Sequence, residues 1–346
     1  MRVLVDIVHP AHVHFYRHLI TQLEARGDEV EVVARDKDVT LELLDLFEIP
    51  YRSVGRSGSK GWVGQASELL IRDWALWRTA RRFRPHLILA RNPAGVQVAR
   101  VVGAIGVFDT DDGSAVGIHF RAAAPFAHVI TTPDSITEDY GPRHRRYQGY
   151  KALAYLHPAH FRPDPDVLTH LGVSEDEPYS LVRFVAMVAS HDRNEAGLAL
   201  DVKRRIVNIL DKRGRVFISS EAGLPSDLET RRLQIPPHRM HDALAFARMC
   251  VGDSQTVAFE AGLLGTPSIH CSSWSGRLEP LDELERRFGL LRSFPPERSE
   301  ELLAAVEEMA ADPDAKLVWA GRRERMLREK IDVTAWYLDL VSELAP

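Results

Sequence analysis

Residues 252–269 carry the strongest chemical signal in this sequence. Four polar residues stand between a short apolar run and a helical pattern: Asp253, Ser254, Gln255 and Thr256. A helix that begins with such residues presents free backbone N–H groups and the positive end of its dipole to an anion such as phosphate. Glu260 lies one to two turns further along, where a carboxylate can accept hydrogen bonds from ribose hydroxyls. The segment predicts a nucleotide site; the alternative is an ordinary strand–turn–helix with a surface glutamate.

Arg183 is a charged residue inside an otherwise apolar run of the second half. It interrupts residues 180–185, which a strand would bury, and a guanidinium seldom stays buried without a partner. Its forked donors suit a diphosphate, and residues 191–193, His-Asp-Arg, are candidates for the same cluster. The alternative is a structural ion pair with Glu221 or Asp253.

The first half offers two groups of candidate acid–base residues. His9, His12 and His14 follow the first predicted strand. Because histidine titrates near neutral pH, we expect His12 or His9 to be the general base that deprotonates an acceptor hydroxyl. No carboxylate or thiol completes a ligand pattern around them, so we predict no metal site. Asp111 and Asp112 follow a later strand. Two neighbouring carboxylates can raise the pKa of one of them, or they can hold a cation. Capping of a turn is the alternative.

An aromatic and basic helix is predicted over residues 64–83. Its second half carries Trp74, Trp77 and several arginines, a combination that can contact an anionic membrane or a lipid-linked acceptor. The alternative is a core helix with a solvated basic rim. Residues 143–146, Arg-His-Arg-Arg, are interpreted as a solvated loop.

Length and composition exclude several classes of protein. At 346 residues the chain favours two domains, and its formal net charge of −5 disfavours nucleic acid as a partner. Two cysteines are too few for a disulfide framework or a zinc site. The N-terminus does not have the form of a signal peptide, and no apolar run approaches the roughly 20 residues that span a bilayer. We therefore expect a soluble, cytoplasmic protein, with contact to the inner membrane face as an extension of that expectation.

Strand and helix patterns alternate in both halves of the chain. Six β-branched runs in the first half predict strands: 3–8, 30–34, 51–54, 87–90, 106–109 and 128–131. Four runs do so in the second half: 181–187, 216–219, 250–252 and 268–270. This alternation predicts an α/β fold with two Rossmann-like, doubly wound domains facing a cleft. The predicted domains are 1–155 and 156–332, followed by a C-terminal helix, 333–346, that returns to the first domain.

With these residues assembled, the chain resembles the GT-B fold of nucleotide-sugar glycosyltransferases and non-hydrolysing UDP-GlcNAc 2-epimerases. It is closer still to a family of uncharacterised proteins built on that fold. Three segments carry the closer resemblance: His9–Tyr16, Tyr147–Pro158 and Gly252–Ile269. The resemblance covers nearly the whole chain. It specifies a fold but no reaction, because a fold alone does not determine function.

The resemblance also suggests roles for individual residues. Asp253-Ser254 and Glu260-Ala261 match the epimerase pattern, which implies phosphate contact for Ser254 and ribose contact for Glu260. The loop 235–240, with His238 and Met240, stands where GT-B proteins contact the base through the backbone. The sequence departs from the pattern where Gln255 and Thr256 replace two glycines and Phe259 replaces a carboxylate.

The function predicted from these observations is transfer of a sugar from a nucleotide-sugar donor, taken as a UDP-sugar, to an unknown acceptor. A lipid-linked or polysaccharide acceptor would place the reaction in polysaccharide biosynthesis. Arg183, Ser254 and Glu260 would hold the donor, and no cofactor or metal is predicted. Two alternatives stay open: an epimerase acting on the nucleotide sugar, and a non-catalytic nucleotide-sugar-binding protein.

Overall fold

The computed structural model describes residues 1–56, 62–113, 117–185, 198–220 and 223–345. The chain divides into two compact units, each built on its own parallel sheet. Unit 1 comprises Met1–His160 together with Lys330–Pro346, and unit 2 comprises Phe161–Glu329.

Unit 1 contains a seven-stranded sheet in the order β3-β2-β1-β4-β5-β6-β7, with every neighbouring pair parallel. Its strands are β1 (Arg2–Ile7), β2 (Glu29–Asp36), β3 (Arg52–Arg56), β4 (Leu87–Ala90), β5 (Ile105–Asp109), β6 (Val129–Pro133) and β7 (His144–Tyr147). The central strands are almost wholly buried, as expected for parallel strands covered on both faces.

In the described part of unit 1, five helices each connect two successive strands, and a further short helix follows β7. They are α1 (Pro10–Ala25), α2 (Thr40–Leu46), α3 (Trp62–Phe83), α4 (Pro93–Val102), α5 (Ile118–Ala123) and α6 (Leu153–Leu156). A buried ion pair fixes α3 to the sheet, because Arg72 Nη2 lies 2.6 Å from Oδ2 of Asp6 in β1. Asn92 Nδ2 donates to the same oxygen at 2.8 Å and so joins the start of α4 to this pair.

Unit 2 contains a five-stranded parallel sheet in the order β12-β11-β10-β8-β9. Its strands are β8 (Tyr179–Phe184), β9 (Arg215–Ser220), β10 (Met249–Gly252), β11 (Ser268–Cys271) and β12 (Arg292–Phe294). Its helices are α7 (Asp166–Leu171), α8 (Leu200–Asp211), α9 (Ser226–Glu229), α10 (Met240–Phe246), α11 (Gln255–Leu263), α12 (Glu279–Glu283), α13 (Ser299–Ala311) and α14 (Ala315–Glu329). The last helix of the chain, α15 (Val333–Glu343), belongs to unit 1.

The α/β fold class predicted from the sequence is confirmed, with two parallel sheets. Residues 143–146 differ from the solvated loop that was predicted, because residues 144–147 form the edge strand β7. Charged residues on an edge strand keep the open edge from pairing with another chain, and the same residues make it resemble a loop in sequence. Among the described residues, no helix combines the length and the apolar character that crossing a membrane requires.

Candidate functional site

The end of β10 approaches β8 so closely that only glycine fits at position 252. A Cβ atom there would lie 2.0 Å from the carbonyl oxygen of Arg183. The next residue, Asp253, donates its backbone N–H to that carbonyl at 3.1 Å. Its side chain accepts from the backbone N–H of Val185 at 2.6 Å and pairs with Lys203 Nζ at 3.1 Å. Asp253 thus holds the turn in place.

Lys203 is a component of this site that the sequence analysis missed. Its side chain is buried, and its ammonium group lies 4.7 Å from the ring centroid of Phe184 in β8. A lysine in an amphipathic helix is normally interpreted as solvated. The signal that could have identified it is its spacing from Val207 and Leu210, which places Lys203 on the buried stripe of α8.

The N-terminus of α11 follows this turn directly. Ser254 is the N-cap residue, with extended backbone angles, and its side chain makes no capping hydrogen bond. The first N–H groups of a helix have no intrahelical acceptor, so those at the start of α11 and the Ser254 hydroxyl form a donor set suited to an anion. Gln255 is half-buried and Thr256 is exposed.

Glu260 lies in the second turn of α11 and is not the surface glutamate of the alternative interpretation. It is only 5% exposed. Its Oε1 lies 3.3 Å from Nε2 of His241 in α10, and the ring of His241 in turn packs edge-on against Phe161. A buried carboxylate held by a neighbouring helix is fixed in position, which suits it to orient a hydroxyl-bearing ligand.

Arg183 and the loop before α10 occupy the same unit as this junction. Arg183 pairs with Gly252 in the register of β8 and β10, and its Nη1 donates to Ser219 Oγ at 2.8 Å. His238 and Met240 are half-buried, one in a 3-10 turn (Pro237–Arg239) and the other at the first residue of α10. The carboxylate of Asp253, one alternative partner for Arg183, is paired with a lysine instead.

A second cluster lies at the carboxyl ends of β4 and β5 in unit 1. Arg91 forms ion pairs with Asp109 and Asp111, and Lys151 Nζ lies 2.5 Å from the other oxygen of Asp111. Burial alone would raise the pKa of Asp111, but Lys151 and Arg91 outweigh it and hold that pKa well below its usual range. The ionised form of Asp111 is therefore favoured, and it pairs with two cations.

Asp112 has the opposite electrostatic character. The negative charge of Asp111, together with burial, raises the pKa of Asp112 to about 6, although Lys151 opposes the shift. A carboxyl group that titrates near neutral pH is suited to accept or donate a proton. Of the two neighbouring carboxyl groups, Asp112 is therefore the one with the raised pKa.

His9 and His12 lie near this cluster at the start of α1, with ring centroids 6.1 Å apart. Nδ1 of His9 accepts from the backbone N–H of Ala11 at 3.2 Å, which makes His9 the N-cap of α1. Nδ1 of His12 accepts from the Val8 N–H at 3.4 Å. Burial and the charge of Arg91 hold the pKa of His12 well below its usual value. A neutral His12 with an occupied Nδ1 carries its proton on Nε2 and is a hydrogen-bond donor.

Several candidates from the sequence fall outside the described residues, namely residues 191–193 and Glu221. Among the residues that the structure does describe, no group of three or more His, Cys, Asp or Glu side chains is arranged to hold a metal ion. Asp111, whose partners are Arg91 and Lys151, illustrates why: its oxygens already face cations.

The sequence is related to proteins without an assigned reaction. Residues 1–283 match the model of a family described as a protein of unknown function, DUF354. An uncharacterised protein of Methanocaldococcus jannaschii, MJ0665, is 22% identical over 289 residues, which is 78% of this chain and 81% of the relative.

Solved structures with a similar fold include glycosyltransferases and an epimerase. The glycosyltransferase VinC, in complex with DTDP, shares 15% identity over 100% of both chains with a TM-score of 0.62. The spinosyn rhamnosyltransferase SpnG, complexed with thymidine diphosphate, shares 15% identity over 98% of this chain and 100% of its own, with a TM-score of 0.64. A third structure, from Listeria monocytogenes, is described as a putative UDP-N-acetylglucosamine 2-epimerase. It shares 12% identity over 96% of this chain and 92% of its own, with a TM-score of 0.67. These similarities confirm the GT-B fold.

Proposed function

Because the chain belongs to the DUF354 family, whose description assigns no reaction, we propose a function from its own residues. Unit 2 binds a nucleotide sugar, and the protein transfers the sugar to an acceptor hydroxyl that unit 1 binds. The observation that carries this proposal is the β10–α11 junction. There an open helix N-terminus and the buried carboxylate of Glu260 lie on the same helix.

Each part of the donor is assigned to the residues whose chemistry suits it. The backbone N–H groups at the start of α11 and the Ser254 hydroxyl receive the diphosphate, because a helix N-terminus stabilises phosphate. Glu260 accepts hydrogen bonds from the ribose. Arg183 supplies positive charge to the diphosphate, and the loop with His238 and Met240 contacts the base. Structures with the same fold that hold DTDP or thymidine diphosphate support a nucleoside diphosphate as the ligand class.

The acid–base role in the proposed reaction belongs to Asp112 rather than to His12 or His9. Transfer to a hydroxyl requires a group that accepts its proton, and the pKa of Asp112, about 6, leaves it mostly ionised at neutral pH. His12 contributes a hydrogen bond through Nε2, and Asp111 maintains the raised pKa of its neighbour. The proton moves from the acceptor oxygen to the Asp112 carboxylate as the new glycosidic bond forms and the nucleoside diphosphate leaves.

The reaction is tested by measuring release of nucleoside diphosphate from nucleotide sugars in the presence of a panel of hydroxyl acceptors. We expect release that depends on acceptor and rises with pH through about 6, because the base must be ionised. Asp112→Asn should lower the rate by about 100-fold or more, the usual contribution of a general base. The control is Asp339→Asn, an exposed aspartate of α15. Full activity in Asp112→Asn would exclude this residue as the base.

An epimerase is the second candidate function. Asp253-Ser254 and Glu260-Ala261 match the epimerase pattern, but Phe259 fills the position of its first carboxylate and is a buried residue of α11. Conversion of the nucleotide sugar to an epimer without release of nucleoside diphosphate would favour the epimerase. Binding of the nucleotide sugar with neither epimerisation nor release of nucleoside diphosphate would favour a non-catalytic binding protein.

A further inference from the structure

Helix α3 exposes large apolar side chains on its outer side. Arg72, Leu76, Thr79 and Ala80 form its buried face. On the opposite face Leu70 is 71% exposed, Ile71 61% and Trp74 55%. Large apolar side chains exposed together on one face are uncommon in a protein that contacts only water.

Exposed arginines continue the same face toward the end of α3. They are Arg78, Arg81 and Arg82 in the helix and Arg84 directly after it. The guanidinium of Arg78 lies 5.4 Å from the ring centroid of Trp74, and that of Arg81 lies 5.4 Å from the ring centroid of Trp77. The neighbouring end of α4 adds Val101, which is 71% exposed, and the exposed Arg100.

Within residues 74–105 the charge has one sign, and Asp73, directly before them, pairs with Arg72 of the same helix. No aspartate or glutamate occurs between residues 74 and 105, so the arginines meet no acidic residue from the same stretch of chain. A symmetric dimer through this face would bring like charges of two copies together, which disfavours self-association. An apolar half that ends in a basic half is complementary to a bilayer with anionic headgroups.

We propose that the outer face of α3, with the end of α4, binds the surface of an anionic lipid membrane. Leu70, Ile71 and Trp74 enter the boundary between headgroups and acyl chains, where tryptophan is favoured. The arginines bind the anionic headgroups. This surface lies on unit 1, and the proposal that it binds a membrane does not depend on the proposed sugar transfer.

The test is co-sedimentation of the whole protein with vesicles. One set contains phosphatidylcholine and phosphatidylglycerol in equal amounts, and the other contains phosphatidylcholine alone. We expect binding to the first set only, weakening as salt is added because headgroup attraction is screened. Leu70→Ser/Trp74→Ser and Arg78→Gln/Arg82→Gln should each weaken binding by about tenfold or more.

Matched controls lie on α14 in unit 2. Leu317→Ser removes a leucine that is 73% exposed, and Arg328→Gln removes an exposed arginine; both variants should bind vesicles as the unmodified protein does. Circular dichroism and thermal melting confirm that each variant is folded. The proposal is overturned by absence of binding to the anionic vesicles or by equal binding of all variants. It is also overturned by a dimer that Leu70→Ser/Trp74→Ser dissociates while vesicles bind nothing.

Discussion

At the residue scale, the two carboxylate sites differ in what holds them. Glu260 is fixed by His241 on a neighbouring helix, whereas Asp111 is fixed by two cations. The sequence identified both residues, because each follows a strand at a junction where polar residues gather. It did not separate Asp111 from Asp112, since the difference between their pKa values depends on the pairing of Asp111 with Lys151, 40 positions away along the chain.

His270 is a buried residue that neither the sequence analysis nor the proposed reaction uses. It lies in β11 with 0% exposure, and neither ring nitrogen has a hydrogen-bond partner among the described residues. Burial lowers its pKa from 6.5 to about 4. Because the unfolded chain binds a proton at His270 first, this residue reduces the free energy of unfolding as pH falls from about 6.5 toward 4.

We expect His270→Phe to be as stable as the unmodified protein or more stable at pH 7. Replacing an unsatisfied polar ring by an apolar ring removes a desolvation cost of about 1–3 kcal/mol. The variant should also lose about 2 kcal/mol less stability between pH 7 and pH 5, as follows from the pKa shift. Urea unfolding at both pH values measures this difference. An identical pH dependence in the two proteins would show that His270 is not the group responsible.

At the element scale, the β10–α11 junction depends on close contact between β8 and β10. Gly252→Ala would place a methyl group 2.0 Å from the Arg183 carbonyl oxygen, so the strands must separate or shift. We expect a loss of about 2 kcal/mol or more in the free energy of unfolding. Chemical denaturation of the purified variant measures it.

The matched control is Gly321→Ala in α14, where an added Cβ meets nothing within 4 Å. Alanine is favoured over glycine in a helix interior, so this variant should be stabilised by about 0.5–1 kcal/mol. If Gly252→Ala were as stable as Gly321→Ala, the strand contact would not require glycine.

Most elements could be predicted from the sequence because parallel strands and amphipathic helices have regular hydrophobic patterns. The short, charged edge strand β7 could not, since nothing in residues 144–146 distinguishes an edge strand from a loop. Lys203 was missed for a related reason. When residues are classed only as polar or apolar, every lysine is assigned to the solvated face. Its pairing with Asp253 depends on the packing of α8 against the sheet.

At the scale of the whole molecule, the chain begins and ends in unit 1. Residues 161–329 form unit 2, and α15 then completes the first unit. Tyr337 of α15 donates its hydroxyl to Asp109 and lies 2.6 Å from Thr131 Oγ1. The sequence indicated a C-terminal helix, but Tyr337 and Asp109 are 228 positions apart, a contact that no local pattern specifies.

This connection predicts separate effects on the two units in calorimetry. Tyr337→Phe removes one buried hydrogen bond to the Asp109 carboxylate, which keeps Thr131 and Arg91 as partners, and should lower the stability of unit 1 by about 1–3 kcal/mol, whereas Gly252→Ala should lower that of unit 2. If the units unfold in two transitions, each variant should lower the midpoint temperature of a different transition. A shift of the same transition by both variants would show that the units unfold together.

The central claim is that α11 binds a nucleotide sugar, and titration calorimetry of the whole protein with nucleotide sugars and nucleoside diphosphates tests it most directly. We predict binding by the unmodified protein, with affinity reduced about tenfold or more in Glu260→Gln, because a hydrogen bond to a charged group is lost. Glu307→Gln, an exposed glutamate of α13, should bind normally. Unchanged affinity in a folded Glu260→Gln variant, or no binding of any such ligand by the unmodified protein, would contradict the account.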